Sequence, residues 1–136
     1  MEKLGSKEIS QLPLCGVCAV ANVANVGVVD AFYDFKKKLK KSHQWKGRTK
    51  YSCRSKMLKH YKIKHKALND VPCVTLSKFV EWYTVKGKAY IVTTTSHTQV
   101  VKDGMVTDQR GTFPIAEYWG KSKRLYVGSE KAILIA

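Results

Sequence analysis

Cys15, His97 and Asp108 are the side chains of this 136-residue chain whose types and spacing could together perform nucleophilic chemistry. A cysteine at the start of a helix is stabilised as a thiolate by the dipole and free N–H groups of the first turn. A histidine can take the thiol proton and return it to a leaving group, and a carboxylate holds the imidazole in the useful tautomer. The chemistry of such a set is acyl transfer or hydrolysis at an amide, thioester or ester carbonyl. Local spacing brings two of the three together. Asp103-Gly104 is a preferred pair for a two-residue type I′ hairpin, which pairs Lys102 with Met105, Val101 with Val106, Val100 with Thr107 and Gln99 with Asp108. His97 then shares a face with Gln99 and lies diagonal to Asp108, about 7–8 Å away between backbones and within side-chain reach. Gln11, shortly before Cys15, could donate its amide to an oxyanion alongside the Cys15 backbone N–H.

These residues need elements to hold them. Cys15 to Val28 is almost wholly apolar and small, interrupted by Asn22 and Asn25, which reads as a buried helix with Pro13 at or just before its start. A second helix follows, with Asp30 as its cap, Phe32, Phe35 and Leu39 on one face and lysines toward its C-terminal end. A short helix is expected over 52–61, and another from Thr75, whose hydroxyl can cap it and whose Leu76, Phe79, Val80 and Tyr83 trace an apolar face. The last third changes period: Ala89 to Thr95, His97 to Lys102, Met105 to Gln109, Arg124 to Gly128 and Ala132 to Ile135 read as strands. Helices before strands imply one α+β domain over 1–136, with N-terminal helices packed on a C-terminal antiparallel sheet.

Composition bounds the partners. The chain carries 25 Lys and Arg against 10 Asp and Glu, a formal charge of +15. Fourteen of those cations and no acid fall within 36–66, so a nearly neutral framework bears one basic central segment. Lys36, Lys37, Lys38, Lys40, Lys41, Arg48 and Arg54 could attract phosphates, while Trp45, Tyr51 and Tyr61, interleaved with them, could stack on bases. A basic nucleic-acid-binding protein without catalysis is therefore the rival reading. The other anionic partners that such charge favours are an acidic protein or a nucleoprotein. The first ten residues lack an apolar signal core, and no apolar run approaches the roughly 20 residues needed to cross a bilayer, so a cytoplasmic protein without a membrane partner is expected. Neither a metal nor an organic cofactor is expected. Cys15-x-x-Cys18 has zinc-knuckle spacing, but no second such pair follows, and Cys53, His60 and His65 lie among lysines that repel a cation.

Together these motifs carry a resemblance. Leu14-Cys15-Gly16-Val17-Cys18-Ala19-Val20-Ala21-Asn22 resembles the cysteine-bearing start of the central helix in papain-like cysteine peptidases. The likeness narrows to small papain-like proteins of phages and bacteria on Cys15 with Ala19 and Ala21, Gly47-Arg48, and the hairpin His97, Val101, Asp103-Gly104 and Asp108. It implies a papain-like fold, a Cys-His-Asp hydrolase with peptidase as its first label, and a bacterial cytoplasm if the chain is phage-encoded. In papain-like enzymes the oxyanion glutamine stands about six residues before the nucleophile, whereas Gln11 is four before Cys15 and seven before Cys18. Cys15-Gly16-Val17-Cys18 also resembles the Cys-Gly-x-Cys of papain itself, a register in which Cys18 would be the nucleophile. The phage-type pattern favours Cys15.

Overall fold

The computed structural model describes residues 13–42, 44–95, 97–126 and 131–136. Helix α1 (Cys15–Ala24) is built from small apolar residues and buries Gly16, Val17, Ala19, Val20 and Ala21. It stops at Asn25, whose left-handed backbone (φ 57°) lets the N–H groups of Asn25 and Val26 close onto the Asn22 and Ala21 carbonyls. Helix α2 (Val28–Lys38) starts after Gly27, not at Asp30. Asp30 sits inside the first turn, where its charge still faces the positive end of the dipole. Helix α3 (Tyr51–His60) contributes buried Met57 and Leu58. The three helices share one core with Ile91, Val100 and Ile133 of the sheet.

After β1 (His65–Ala67) comes α4 (Leu76–Tyr83), capped as its sequence suggests: the Lys78 N–H donates to the Thr75 hydroxyl at 3.2 Å. Strands β2 (Ala89–Thr94), β3 (His97–Lys102), β4 (Met105–Asp108) and β5 (Gly111–Pro114), a 3₁₀ turn (Ile115–Glu117) and β6 (Ala132–Ile135) complete the order. The sheet runs β1-β6-β2-β3-β4-β5, antiparallel throughout. The chain is thus α+β, with α4 and the edge strand β1 departing from a strict helices-then-strands order. The segment expected as a strand at Arg124 to Gly128 supplies only single bridges, Arg124 to Thr75 and Leu125 to Thr94, among its described residues.

Both faces of the sheet are covered. Ile91, Val100 and Ile133 face α1 to α3, while Tyr90, Val92, Val101, Val106 and Ala132 face a second core with Leu76, Phe79, Tyr118 and Leu125. Double burial explains why these strands read as apolar runs and not as alternating ones. Phe32 and Phe79 are each fully buried, one in each core, and truncation of either to Ala costs about 3–5 kcal/mol.

The N-terminus of α1 is clamped by the chain around Gly47 to Thr49. Gly47 has φ +105° and lies against Leu14, whose side chain a β-carbon would overlap. A β-carbon on Gly16 would likewise overlap the Thr49 hydroxyl. Both glycines allow the close approach that fixes Cys15 between them in space.

Candidate active site

Three of the four hairpin pairs expected from Asp103-Gly104 are observed, Lys102 with Met105, Val101 with Val106 and Val100 with Thr107, while Asp108 pairs onward with Gly111 of β5. Asp103 (φ 51°) and Gly104 (φ 77°) both take the positive φ that a type I′ turn requires. At its open end the imidazole Nε2 of His97 meets Asp108 Oδ2 at 3.1 Å. The Cys15 thiol hydrogen-bonds the same ring. Cys15 is the first residue of α1, and the N-cap residue Leu14 offers no side-chain cap to that turn. The three residues therefore meet where the start of a helix on one face of the sheet reaches the first residue of β3 and the last of β4.

Asp108 is held from every side. Its Oδ2 also accepts from the Tyr118 hydroxyl at 2.7 Å and the Trp119 indole N–H at 3.2 Å, and its Oδ1 accepts from the Arg110 backbone N–H at 2.8 Å. Tyr118 is 1% exposed and its hydroxyl also reaches Gln99 Oε1 at 3.4 Å, while the Gln99 amide donates to the Val92 carbonyl at 2.6 Å. The ring of Trp119 covers His97, with centroids 5.1 Å apart. Arg110 and Lys123 lie over the Trp119 ring at 4.4 and 4.8 Å, which makes the approach to the site cationic.

These contacts set the protonation states. Burial pushes the Cys15 thiol up, but hydrogen bonds from His97 and from the backbone N–H and hydroxyl of Thr98, with the His97 charge, bring it below its ordinary value. Burial pulls the His97 imidazolium down, and the contacts with Cys15 and Asp108 outweigh it, so the ring is shifted up. For Asp108, burial is overcome by the bonds from Tyr118, Arg110 and His97, and the carboxyl is lowered. Each group is pushed toward its charged form. Cys18, one turn along α1, is pushed up by burial and by the nearby Asp108 and Cys15 charges. Gln11 lies outside the described residues.

Sequence reasoning missed Thr98, Arg110, Tyr118 and Trp119. Thr98 and Arg110 each follow a recognised position by one or two residues, a signal available in hindsight. Tyr118 and Trp119 arrive by way of the 3₁₀ turn, which no periodicity announces.

Two residues expected on an anion-binding surface are elsewhere. Arg54 is 6% exposed, and its guanidinium donates to the Thr49 carbonyl and hydroxyl at 3.1 Å and to the Thr93 hydroxyl at 3.2 Å. Thr93 in turn reaches Thr98 at 3.4 Å, so Arg54 braces the strand beside Cys15. Trp45 stacks on Phe32 and Phe35, with centroids 5.3 and 6.3 Å away, and its indole N–H donates to the Arg48 carbonyl at 2.9 Å. It completes the apolar face of α2, with the Lys41 ammonium 5.9 Å from its ring centroid. Tyr61 is half-buried and donates to Asp34 at 2.7 Å. The side chain of Tyr51 lies outside those described. Lys36 and Lys41 are partly covered, while Lys37, Lys38, Lys40 and Arg48 are exposed.

Among the described residues, no three His, Cys, Asp or Glu side chains gather as a metal site requires, and no single helix is long and apolar enough to cross a membrane. No family model, curated protein or solved structure matches this chain.

Proposed function

We propose that this chain is a papain-like cysteine hydrolase, a peptidase or amidase, with Cys15 as nucleophile, His97 as general acid and base, and Asp108 as the group that orients the imidazole. The observation that carries the reading is the hydrogen-bonded run from the thiol at the start of α1 through His97 to a buried carboxylate. The sequence resemblance and the α+β layering agree with it. The Cys15 thiolate attacks the carbonyl carbon, forming the S–C bond as the carbonyl electron pair moves to oxygen. The backbone N–H groups of the first turn are suited to stabilise that oxyanion. Collapse breaks the bond to the leaving amine, which takes the proton from the His97 imidazolium. Water then attacks the thioester, giving a proton to His97, and the released thiolate restores the ion pair. Arg110 and Lys123 at the approach favour an acidic substrate segment.

Labelling with a thiol-directed acyl probe, followed by mass spectrometry, tests this. The expected result is rapid labelling of Cys15 alone, reduced at least tenfold in a His97→Ala variant that keeps its fold. Equal slow labelling of all four cysteines, unchanged by His97→Ala, overturns the proposal. Preferential labelling of Cys18 moves the nucleophile by one helical turn and overturns the role of Cys15.

A further inference from the structure

The proposed hydrolase chemistry uses none of the lysines at the C-terminal ends of α2 and α3, yet the fold gathers them. A cavity of about 600 Å³ opens between these ends, lined by Lys38, Leu39, Lys40, Lys41, Cys53, Lys56, Lys59 and His60, with no acidic side chain among the described residues. The α3 contributors are Cys53, Lys56, Lys59 and His60, linked by the three- and four-residue steps that share one helix face. From 36 to 66 the chain offers no acid to neutralise them.

Helix C-termini carry partial negative charge and ordinarily repel anions. Here the terminal carbonyls are already satisfied within the chain. The N–H groups of Lys40 and Lys41 bond the Lys37 and Lys36 carbonyls at 3.3 and 2.9 Å, and those of Lys62 and Ile63 bond the Lys59 and Leu58 carbonyls at 2.9 and 2.8 Å. These closures put Lys40 (φ 51°) and Lys62 (φ 61°) in the left-handed region, at the position where helices usually place Gly. A lysine at such a position carries a backbone strain that glycine would relieve. Keeping the ammonium of Lys40 at the rim of the cavity is a reason to bear it.

We propose that this groove is a binding site for the phosphate backbone of a nucleic acid, read by charge and not by sequence. Three observations choose this ligand. The cations lining the groove are compact ammonium groups and no arginine fork, so they meet phosphates as point charges and cannot grip base edges in the bidentate way. Trp45 is stacked into the helix core and Tyr61 is bonded to Asp34, which leaves their rings engaged away from bases. A duplex carries one charge per about 1.7 Å and releases condensed counterions on binding, a gain that the wider-spaced carboxylates of an acidic peptide do not match. The site stands independently of whether Cys15 is a nucleophile.

The test is fluorescence anisotropy of the full chain with a labelled 20-base-pair DNA duplex of mixed sequence, repeated across salt concentrations and with a second, scrambled duplex. A Lys40→Gly/Lys56→Gln/Lys59→Gln variant is expected to weaken binding at least tenfold and to lower the slope of log Kd against log salt by about 2 to 3 units. Lys40→Gly alone is expected to raise Tm while weakening binding, so loss of affinity cannot come from loss of fold. A Lys86→Gln/Lys88→Gln variant, neutralised on the exposed loop before β2, should bind as the wild type does. The proposal is overturned if the groove variant loses no more affinity than this control. It is equally overturned if the two duplexes differ tenfold, or if an oligoglutamate of equal charge displaces the duplex at equal concentration.

Discussion

The Cys15 thiol is held low and the His97 imidazole high, so each favours the charged half of a thiolate–imidazolium pair. The pH dependence follows from the signs. As pH rises through the depressed thiol value, below the ordinary 9.0, the nucleophile forms. As pH rises through the imidazole value, above the ordinary 6.5, the proton needed by the leaving amine is lost. Hydrolysis measured as kcat/KM should therefore be bell-shaped, its limbs belonging to the coupled pair. A rate that climbs monotonically to pH 10 contradicts the ion pair. Asp108 is the more demanding position, because donors face both of its oxygens: Arg110 N–H at Oδ1, and His97, Tyr118 and Trp119 at Oδ2. An asparagine must turn its NH₂ toward one set of donors in either orientation. Asp108→Asn is thus expected to lower kcat by about 10³–10⁴-fold and to cost about 1–3 kcal/mol in denaturant unfolding. Since the folded carboxyl is lowered from 3.8, its contribution is present above that value and fades as pH falls through the folded one. The wild type should lose stability over that acid window, and the variant should lose less.

Helix α1 places the thiol only because its N-terminus can approach the chain at Thr49. Gly16→Ala forces a β-carbon into the Thr49 hydroxyl, beside the Arg54 side chain. Overpacking of this kind costs about 1–3 kcal/mol, and the shift of α1 should slow acyl-probe labelling of Cys15. In a Thr49→Ala background the same substitution should cost clearly less, a coupling that a double-mutant cycle of unfolding free energies measures. Equal cost in both backgrounds would place the strain elsewhere. What could be read in advance divides along the same lines. The β3–β4 hairpin was legible because Asp103-Gly104 sets the register locally, and with it the nearness of His97 and Asp108. The Thr75 cap and the apolar face of α4 were legible for the same reason. Strands β1 and β5 were not: each is three or four residues long, and β1 exists through pairing with β6 at the far end of the chain. Asp30 misled as a cap because Gly27 already provides the extended residue before α2. Trp45 misled because Phe32 and Phe35, distant enough in sequence to go unremarked, stack on its ring and leave Lys41 as the basic side chain over it.

At the scale of the whole molecule, charge is the term the fold does least to relieve. The formal charge is +15, and the ion pairs of Asp108 with His97 and Arg110 serve the candidate site, not the basic segment. A folded chain of this length has a radius of gyration of about 14 Å. At about 0.01 M salt the Debye length, roughly 30 Å, spans the molecule, while at physiological salt it shrinks to about 8 Å. Repulsion across the structure is therefore screened by ordinary salt, but repulsion inside the groove, whose lysines share one cavity, persists. Two consequences separate. Raising NaCl from about 0.01 to 0.15 M should raise Tm by several degrees. The groove variant, with three charges fewer, should start from a higher Tm at low salt and gain less. A polyanion acts differently, because binding to the folded state alone stabilises by mass action. Added duplex should therefore raise the Tm of the wild type well beyond the effect of equal ionic strength, and leave the groove variant near its salt-only value. A Tm that falls on adding salt would mean that attractive pairs outweigh the repulsion, and would remove the basis for reading the segment 36–66 as poised for an anion.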